Sequence, residues 1–179
     1  MTFEIHGHAW DTPEQVVLLE QVGSHAHGTR IPPEGDGIDD IDLMGVVLPD
    51  RRYYLGLSEW GSRGTKESKP YPIDCVLYEL RKFVSLLLQG NPNVMCMLWP
   101  PEGCVVWEHP VGAEIRTWRH LFVGKHVYRA FKGYAHAQMT KMFATEGVFA
   151  GYMGEKRKGL GTLFKMSMGI ARFVKENLK

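Results

Sequence analysis

The stretch Asp39-Asp40-Ile41-Asp42-Leu43-Met44-Gly45-Val46-Val47 constrains this chain more than any other. Asp40 and Asp42 are two residues apart and lead into an apolar run with two β-branched residues, a pattern that predicts a strand. Alternate side chains of a strand point the same way, so the two carboxylates stand side by side. Like charges at that spacing repel unless a cation lies between them. Hard divalent ions such as Mg²⁺ favour these oxygen donors and share them with substrate phosphates. Upstream, Gly23-Ser24-His25-Ala26-His27-Gly28 ends another apolar run. Gly23 and Ser24 offer a small turn whose backbone N–H groups can come close to an anion. A phosphate cradle beside a metal-holding carboxylate pair points to chemistry on a nucleoside triphosphate.

Composition narrows the class. With 179 residues, 44% hydrophobic and 23% charged, the chain suits one sizeable core or two small units sharing an interface. No apolar run is long enough to span a bilayer. Met1 to His6 lacks the basic segment and apolar stretch of a secretory leader, so a cytoplasmic protein without membrane partners is expected. Cys75, Cys96 and Cys104 are odd in number and form no C-x-x-C pair, which favours reduced, mostly buried thiols over a disulfide framework. The net charge of +1 conceals a division, because residues 1–50 hold ten Asp/Glu against one Arg and residues 51–179 hold twenty Lys/Arg against ten Asp/Glu. An acidic, cation-collecting segment against a basic remainder suits an enzyme that holds metal on one wall and phosphate on the other. The two charge blocks can equally just neutralise each other.

Along the chain, Thr12-Pro13-Glu14-Gln15 has the form of a helix start. Val16 to Val22 is nevertheless short and partly β-branched and stops at Gly23, so it reads as a buried strand, with helix as the competitor. Ile31 to Gly37 is a Pro/Gly-rich loop that brings the Gly-Ser turn and the Asp pair together from adjacent strands. Arg51 to Tyr71, punctuated by glycines, reads as a long exposed connection over the site. Ile73-Asp74-Cys75-Val76 reads as a short strand with one carboxylate. It runs into a helix whose inner face is Leu77, Leu80, Val84 and Leu87 or Leu88, ended by Gly90. Asn91-Pro92 opens a short helix whose methionines and Trp99 read as core. From Glu114 onward the chain reads as helical. Val127, Phe131, Tyr134 and Met142 face a core, while Lys125, Arg129, Lys132 and His136 form a stripe that can bind phosphates or simply face water. Lys156-Arg157-Lys158 is a second basic cluster.

Gly23-Ser24 after a strand, Asp40-Ile41-Asp42 on the next and Asp74 on a later one resemble the signature of the polymerase-β-type nucleotidyltransferase superfamily. The chain is most similar to a branch of predicted bacterial and phage nucleotidyltransferases with a G-S-H-A-Y-G-type turn and a Y-E-L-R-K-F…G-N-P-N segment. The latter reads here Tyr78-Glu79-Leu80-Arg81-Lys82-Phe83 and Gly90-Asn91-Pro92-Asn93. The resemblance covers about residues 16–158. It implies an α/β (α+β) fold: a nucleotidyltransferase core with a small mixed sheet and packed helices over 1–105, then a helical part over 106–179 packed on it. It also implies that Asp40 and Asp42 hold two Mg²⁺ ions, that Asp74 completes the site and helps activate the acceptor hydroxyl, and that Gly23, Ser24 and nearby amides hold the phosphates. Lys125 and Arg129 are the candidates for further nucleotide contacts. The implied reaction moves an NMP unit from an NTP, with ATP the expected donor, to a hydroxyl on an RNA, a protein or a small molecule, releasing pyrophosphate.

The chain departs from that pattern twice. His27 stands where those relatives have Tyr. Beyond Lys158 it reads Gly159-Leu160-Gly161-Thr162-Leu163-Phe164-Lys165 in place of a Y-D-x-K-x-A-x-H segment. The second departure motivates an alternative, a catalytically inactive nucleotide-binding or regulatory module, antitoxin-like and partnered with a toxin-like helical protein. A metal-dependent phosphohydrolase and a zinc site on His25 and His27 are the remaining alternatives. Taken alone, Asp74 reads as a helix cap, Asp39 as a solvated residue on the opposite face of the strand, and Arg51 and Arg52 as surface charges.

Overall fold

The computed structural model describes residues 1–28 and 40–148. The chain opens with a hairpin, β1 (Thr2–Ile5) and β2 (His8–Asp11). The Thr12 hydroxyl then accepts a bond from the Glu14 N–H at 3.4 Å. The segment that resembles a helix start is thus a local turn, and it feeds directly into β3 (Gln15–Gln21). After it come the one-turn helix α1 (Gly23–Ala26) and β4 (Ile41–Leu48). The loop expected over Ile31 to Gly37, Asp39 and the Lys156–Lys158 cluster lie outside the described residues.

Arg51 to Tyr71 is more than the expected connection. It contains the one-turn helix α2 (Arg52–Leu55) and an edge strand, β5 (Thr65–Ser68). β6 (Ile73–Glu79) runs three residues beyond the expected Val76 before α3 (Leu80–Leu88) begins. Leu77 is therefore a strand residue, held extended by its pairing with Gly45. In α3 the buried residues are Phe83 and Leu87, whereas Leu88 is exposed and Val84 half-exposed. α4 (Pro92–Cys96) is capped as expected, with the Asn91 side chain accepting from the Asn93 N–H. A strand the sequence did not announce, β7 (Val105–Glu108), precedes α5 (Pro110–Thr117), a 3₁₀ turn (Arg119–Phe122) and α6 (Lys125–Val148).

The strands form one mixed sheet in the order β5-β6-β4-β3-β7. β4 and β6 are parallel, and the other neighbours are antiparallel. Each face of the sheet is covered. On one side Leu18, Val46, Phe83, Leu87, Met95, Leu98, Val127 and Phe131 pack α3, α4, α5 and α6 onto the sheet. On the other, Leu19, Leu43, Val47, Cys75 and Leu77 meet Ile5 and Trp10 of the hairpin and Trp60. Burying each of these large side chains contributes roughly 1.5–3 kcal/mol, so both layers hold the sheet. Gly112 lets α5 close in, because a Cβ there would lie 2.5 Å from Leu18 Cδ2. This is the mixed α/β architecture expected of a small nucleotidyltransferase core. Among the described residues, no helix is long and apolar enough to cross a membrane.

Candidate active site

The two parallel strands set the site. Asp42 of β4 and Asp74 of β6 are direct register partners, so their side chains leave the same face of the sheet. That face is the one carrying Met44, Val46 and Tyr78 under the helices. The acids occupy its open end, where both are half-exposed. Asp40 lies just before β4 and is exposed. It shares a shallow hollow with Asp42, Ser24 and His25.

The Gly-Ser turn is fixed against this pair. The Val22 N–H donates to the Asp42 carbonyl at 2.9 Å, carrying the β3–β4 pairing one step past β3. Gly23 then turns with φ +65, and a Cβ there would lie 2.1 Å from Asp42 Oδ2. Only glycine permits both the left-handed backbone and the approach of the carboxylate. Ser24 follows in α1 and faces the same hollow.

Asp74 has two unlike oxygens. Oδ2 receives an ion pair from Lys69 Nζ at 2.9 Å, and Lys69 also lies 3.5 Å from Glu67 Oε2. The hydrogen bond and charge of Asp74 push the Lys69 ammonium above the usual lysine range. Oδ1 is buried and has no hydrogen-bond partner. A buried acceptor of this kind wants a cation or a donor from a ligand. Among the described residues, no three His, Cys, Asp or Glu side chains gather closely enough to hold one ion by themselves. Two carboxylates and an orphaned acceptor instead fit Mg²⁺, which takes one or two carboxylates and fills its remaining positions with water and substrate oxygens.

Beside the turn, a cavity of about 390 Å³ opens between the sheet and the helices α4 and α6. Met44, Met97, Trp99, Phe131 and Tyr134 form its apolar walls, and Gly23 stands at its edge. Glu20 lies deep within it, paired directly opposite Met44 and only 2% exposed. Its carboxylate is bridged by Arg116, whose guanidinium also meets Glu108 and the Met97 carbonyl. Burial pushes the Glu20 carboxyl up to about 7 against the opposing pull of Arg116.

The sequence-derived residues therefore fall into two groups. Gly23, Ser24, Asp40 and Asp42 adjoin one another, and Asp74 joins them through Asp42. Lys125 and Arg129 sit on the exposed side of α6 and line neither the hollow nor the cavity, to which α6 contributes Phe131 and Tyr134. Two features escape a linear reading. Glu20 looks like one polar residue in an apolar run, and its partner Arg116 is 96 residues away. Lys69 lies in a polar stretch with nothing to mark Asp74 as its target.

Residues 3–154 match the family model RlaP, described as the RNA repair pathway DNA polymerase beta family. No curated protein and no solved structure matches.

Proposed function

Starting from the chain's membership of the RNA repair pathway DNA polymerase beta family, a polymerase-β-type nucleotidyltransferase family, we propose that it transfers an NMP unit from an NTP, ATP first among them, to a hydroxyl of an RNA end. The RNA acceptor is drawn from the family's description. The observation that supports the chemistry is the register pairing of Asp42 with Asp74, with the Gly23 turn closed directly onto the Asp42 carboxylate.

In this reading Asp42 and Asp74, with Asp40 beside them, hold Mg²⁺. The bound ions supply positive charge to the α-phosphate and to the attacking and leaving oxygens. Ser24 and the amides of its turn orient the β- and γ-phosphates. Gly23 holds those amides close to Asp42 because no side chain intervenes. The base enters the apolar cavity against Met44, Trp99 and Phe131. The Asp74 carboxylate helps activate the acceptor hydroxyl, drawing its proton away as the hydroxyl oxygen bonds to the α-phosphorus. The bond from the α-phosphorus to the bridging oxygen breaks, and pyrophosphate leaves. Orientation and charge account for most of the rate gain in such transfers.

The test is transfer of label from α-labelled ATP to an RNA oligonucleotide in Mg²⁺. Replacing both Asp40 and Asp42 with Asn should abolish transfer while leaving the thermal unfolding curve folded and cooperative. Full activity in that variant overturns the mechanism. A second reading, a nucleotide-binding module without transfer, is favoured by one contact: the Lys69 ammonium already neutralises Asp74. Triphosphate binding without any labelled product, with ATP or with the other NTPs, would select it.

A further inference from the structure

The hairpin that covers the outer face of the sheet turns through two residues, His6 (φ +50) and Gly7 (φ +79), with Ile5 and His8 paired on either side. Two successive positive φ values make a type I′ turn, for which Asn-Gly is the favoured pair. A histidine in the first position accepts left-handed backbone less readily than asparagine, and strain of this kind persists where the side chain is wanted.

The His6 ring reaches the Gly-Ser turn. Its centroid is 5.4 Å from that of His25, and its Nε2 is within hydrogen-bonding reach of the side-chain amide nitrogen of Gln21. With Nε2 turned to Gln21, Nδ1 is the ring nitrogen left to meet a ligand. His6, His25 and Ser24 share the hollow that holds Asp40 and Asp42. Its enclosed part measures about 20 Å³, room for one water and too little for a phosphoryl group. A phosphate would therefore lie across the mouth, where the exposed His6 ring stands.

Charge sharpens the assignment. Residues 1–50 contain ten Asp/Glu and a single Arg, Arg30, which lies outside the described residues. Apart from the buried Trp10 indole, side-chain donors in the described part of this acidic segment are thus imidazoles, hydroxyls and amides. Two imidazoles are already gathered at the hollow.

We propose that His6 and His25 form a two-imidazole clamp on the terminal phosphates of the bound nucleoside triphosphate, with His6 supplied by the N-terminal hairpin. The proposal rests on the nucleotidyltransferase reading of the same site. The clamp acts on the phosphates that leave, so it contributes to triphosphate and pyrophosphate binding but not to monophosphate binding.

The experiment is calorimetric titration of wild type, His6→Asn, His6→Gly and His25→Asn with α,β-methylene-ATP, pyrophosphate and AMP in Mg²⁺. Both His6 substitutions suit the turn, so thermal stability should be equal or higher. Loss of one charge-assisted contact should weaken triphosphate and pyrophosphate binding about tenfold and leave AMP unchanged. If wild type binds triphosphate and the His6 variants bind it equally well, or if AMP weakens in parallel, the clamp is overturned and the nucleotidyltransferase reading stands. If wild type binds no triphosphate, both fall together.

Discussion

Gly23→Ala is the most incisive single substitution, because two separable costs meet in one methyl group. The first is backbone: φ is +65, a conformation that costs an L residue about 1–2 kcal/mol. The second is contact: the new Cβ would lie 2.1 Å from Asp42 Oδ2, 3.0 Å from its Cγ and 3.1 Å from its Cβ. Relieving an overpacked contact costs about 1–3 kcal/mol, and here relief requires the Asp42 carboxylate to swing away from the turn. The total is roughly 2–5 kcal/mol, with loss of metal binding as the functional consequence. A double-mutant cycle separates the parts. Asp42→Ala removes the two carboxyl contacts and leaves only the 3.1 Å approach. In that background Gly23→Ala should cost little beyond its backbone share. Urea unfolding of the four proteins should therefore give a coupling of about 1–2 kcal/mol, and Mn²⁺ titration should show Gly23→Ala nearly as impaired as Asp42→Ala. Strict additivity, or normal Mn²⁺ affinity in Gly23→Ala, would refute the claim that this glycine exists to admit the carboxylate.

Three further outcomes are expected. Lys69→Met removes the cation that competes for Asp74, so Mn²⁺ should bind several-fold more tightly to the nucleotide-free protein; unchanged or weaker binding by electron paramagnetic resonance would contradict the exchange. Glu20 has a folded-state pKa of about 7, above its ordinary 4.5, so the stability it contributes is complete below about pH 4.5 and lost as pH rises through 7. Urea unfolding should show wild type losing roughly 1–3 kcal/mol relative to Glu20→Gln between about pH 5 and pH 8, and parallel pH curves would rule this out. Met44→Trp projects into the apolar cavity from the sheet and should weaken ATP binding more than about tenfold while Mn²⁺ affinity holds; unaltered ATP affinity would place the base elsewhere.

The features legible from sequence are those whose physics is local. The D-h-D of β4 announces itself because period-two alternation and an acid pair coincide within eight residues. Asn91-Pro92 is equally plain, since an N-cap and an N1 proline act within one turn. The β6–α3 boundary is not, because Leu77 and Leu80 fit a helical repeat as well as a strand followed by a helix. Only pairing of Leu77 with Gly45 across the sheet decides it. β1, β2, β5 and β7 have four residues each, too few for a periodic signal. The Thr65-Lys66-Glu67-Ser68 strand has no apolar residue at all and owes its conformation to the backbone of β6. For β1 and β2 the signal lies in the turn instead: Phe3, Ile5 and Trp10 flank His6-Gly7, whose glycine suits a two-residue hairpin.

Burial also explains why acids on one sheet face take different roles. Glu20 and Met44 are opposite each other, and Asp42 is the next residue of β4 on that face. Glu20, however, lies under the helical layer, where an uncompensated carboxylate would be costly. Its counter-charge is fixed in place, though burial outweighs it: Arg116 is itself largely buried, bridges Glu108 and donates to the Met97 carbonyl, joining β3, β7 and the end of α4. Asp74 is instead matched by Lys69, an exposed lysine at the end of an edge strand, whose flexible stem can leave at little cost. The ion of the proposed mechanism needs carboxylates whose counter-charge can be exchanged; on this face Asp74, with its exposed Lys69, offers that, and Glu20, locked to Arg116, does not. The same arrangement accounts for the glycine at the turn. Without a side chain at Gly23, the turn closes directly onto the Asp42 carboxylate while β4 keeps its pairing with β3.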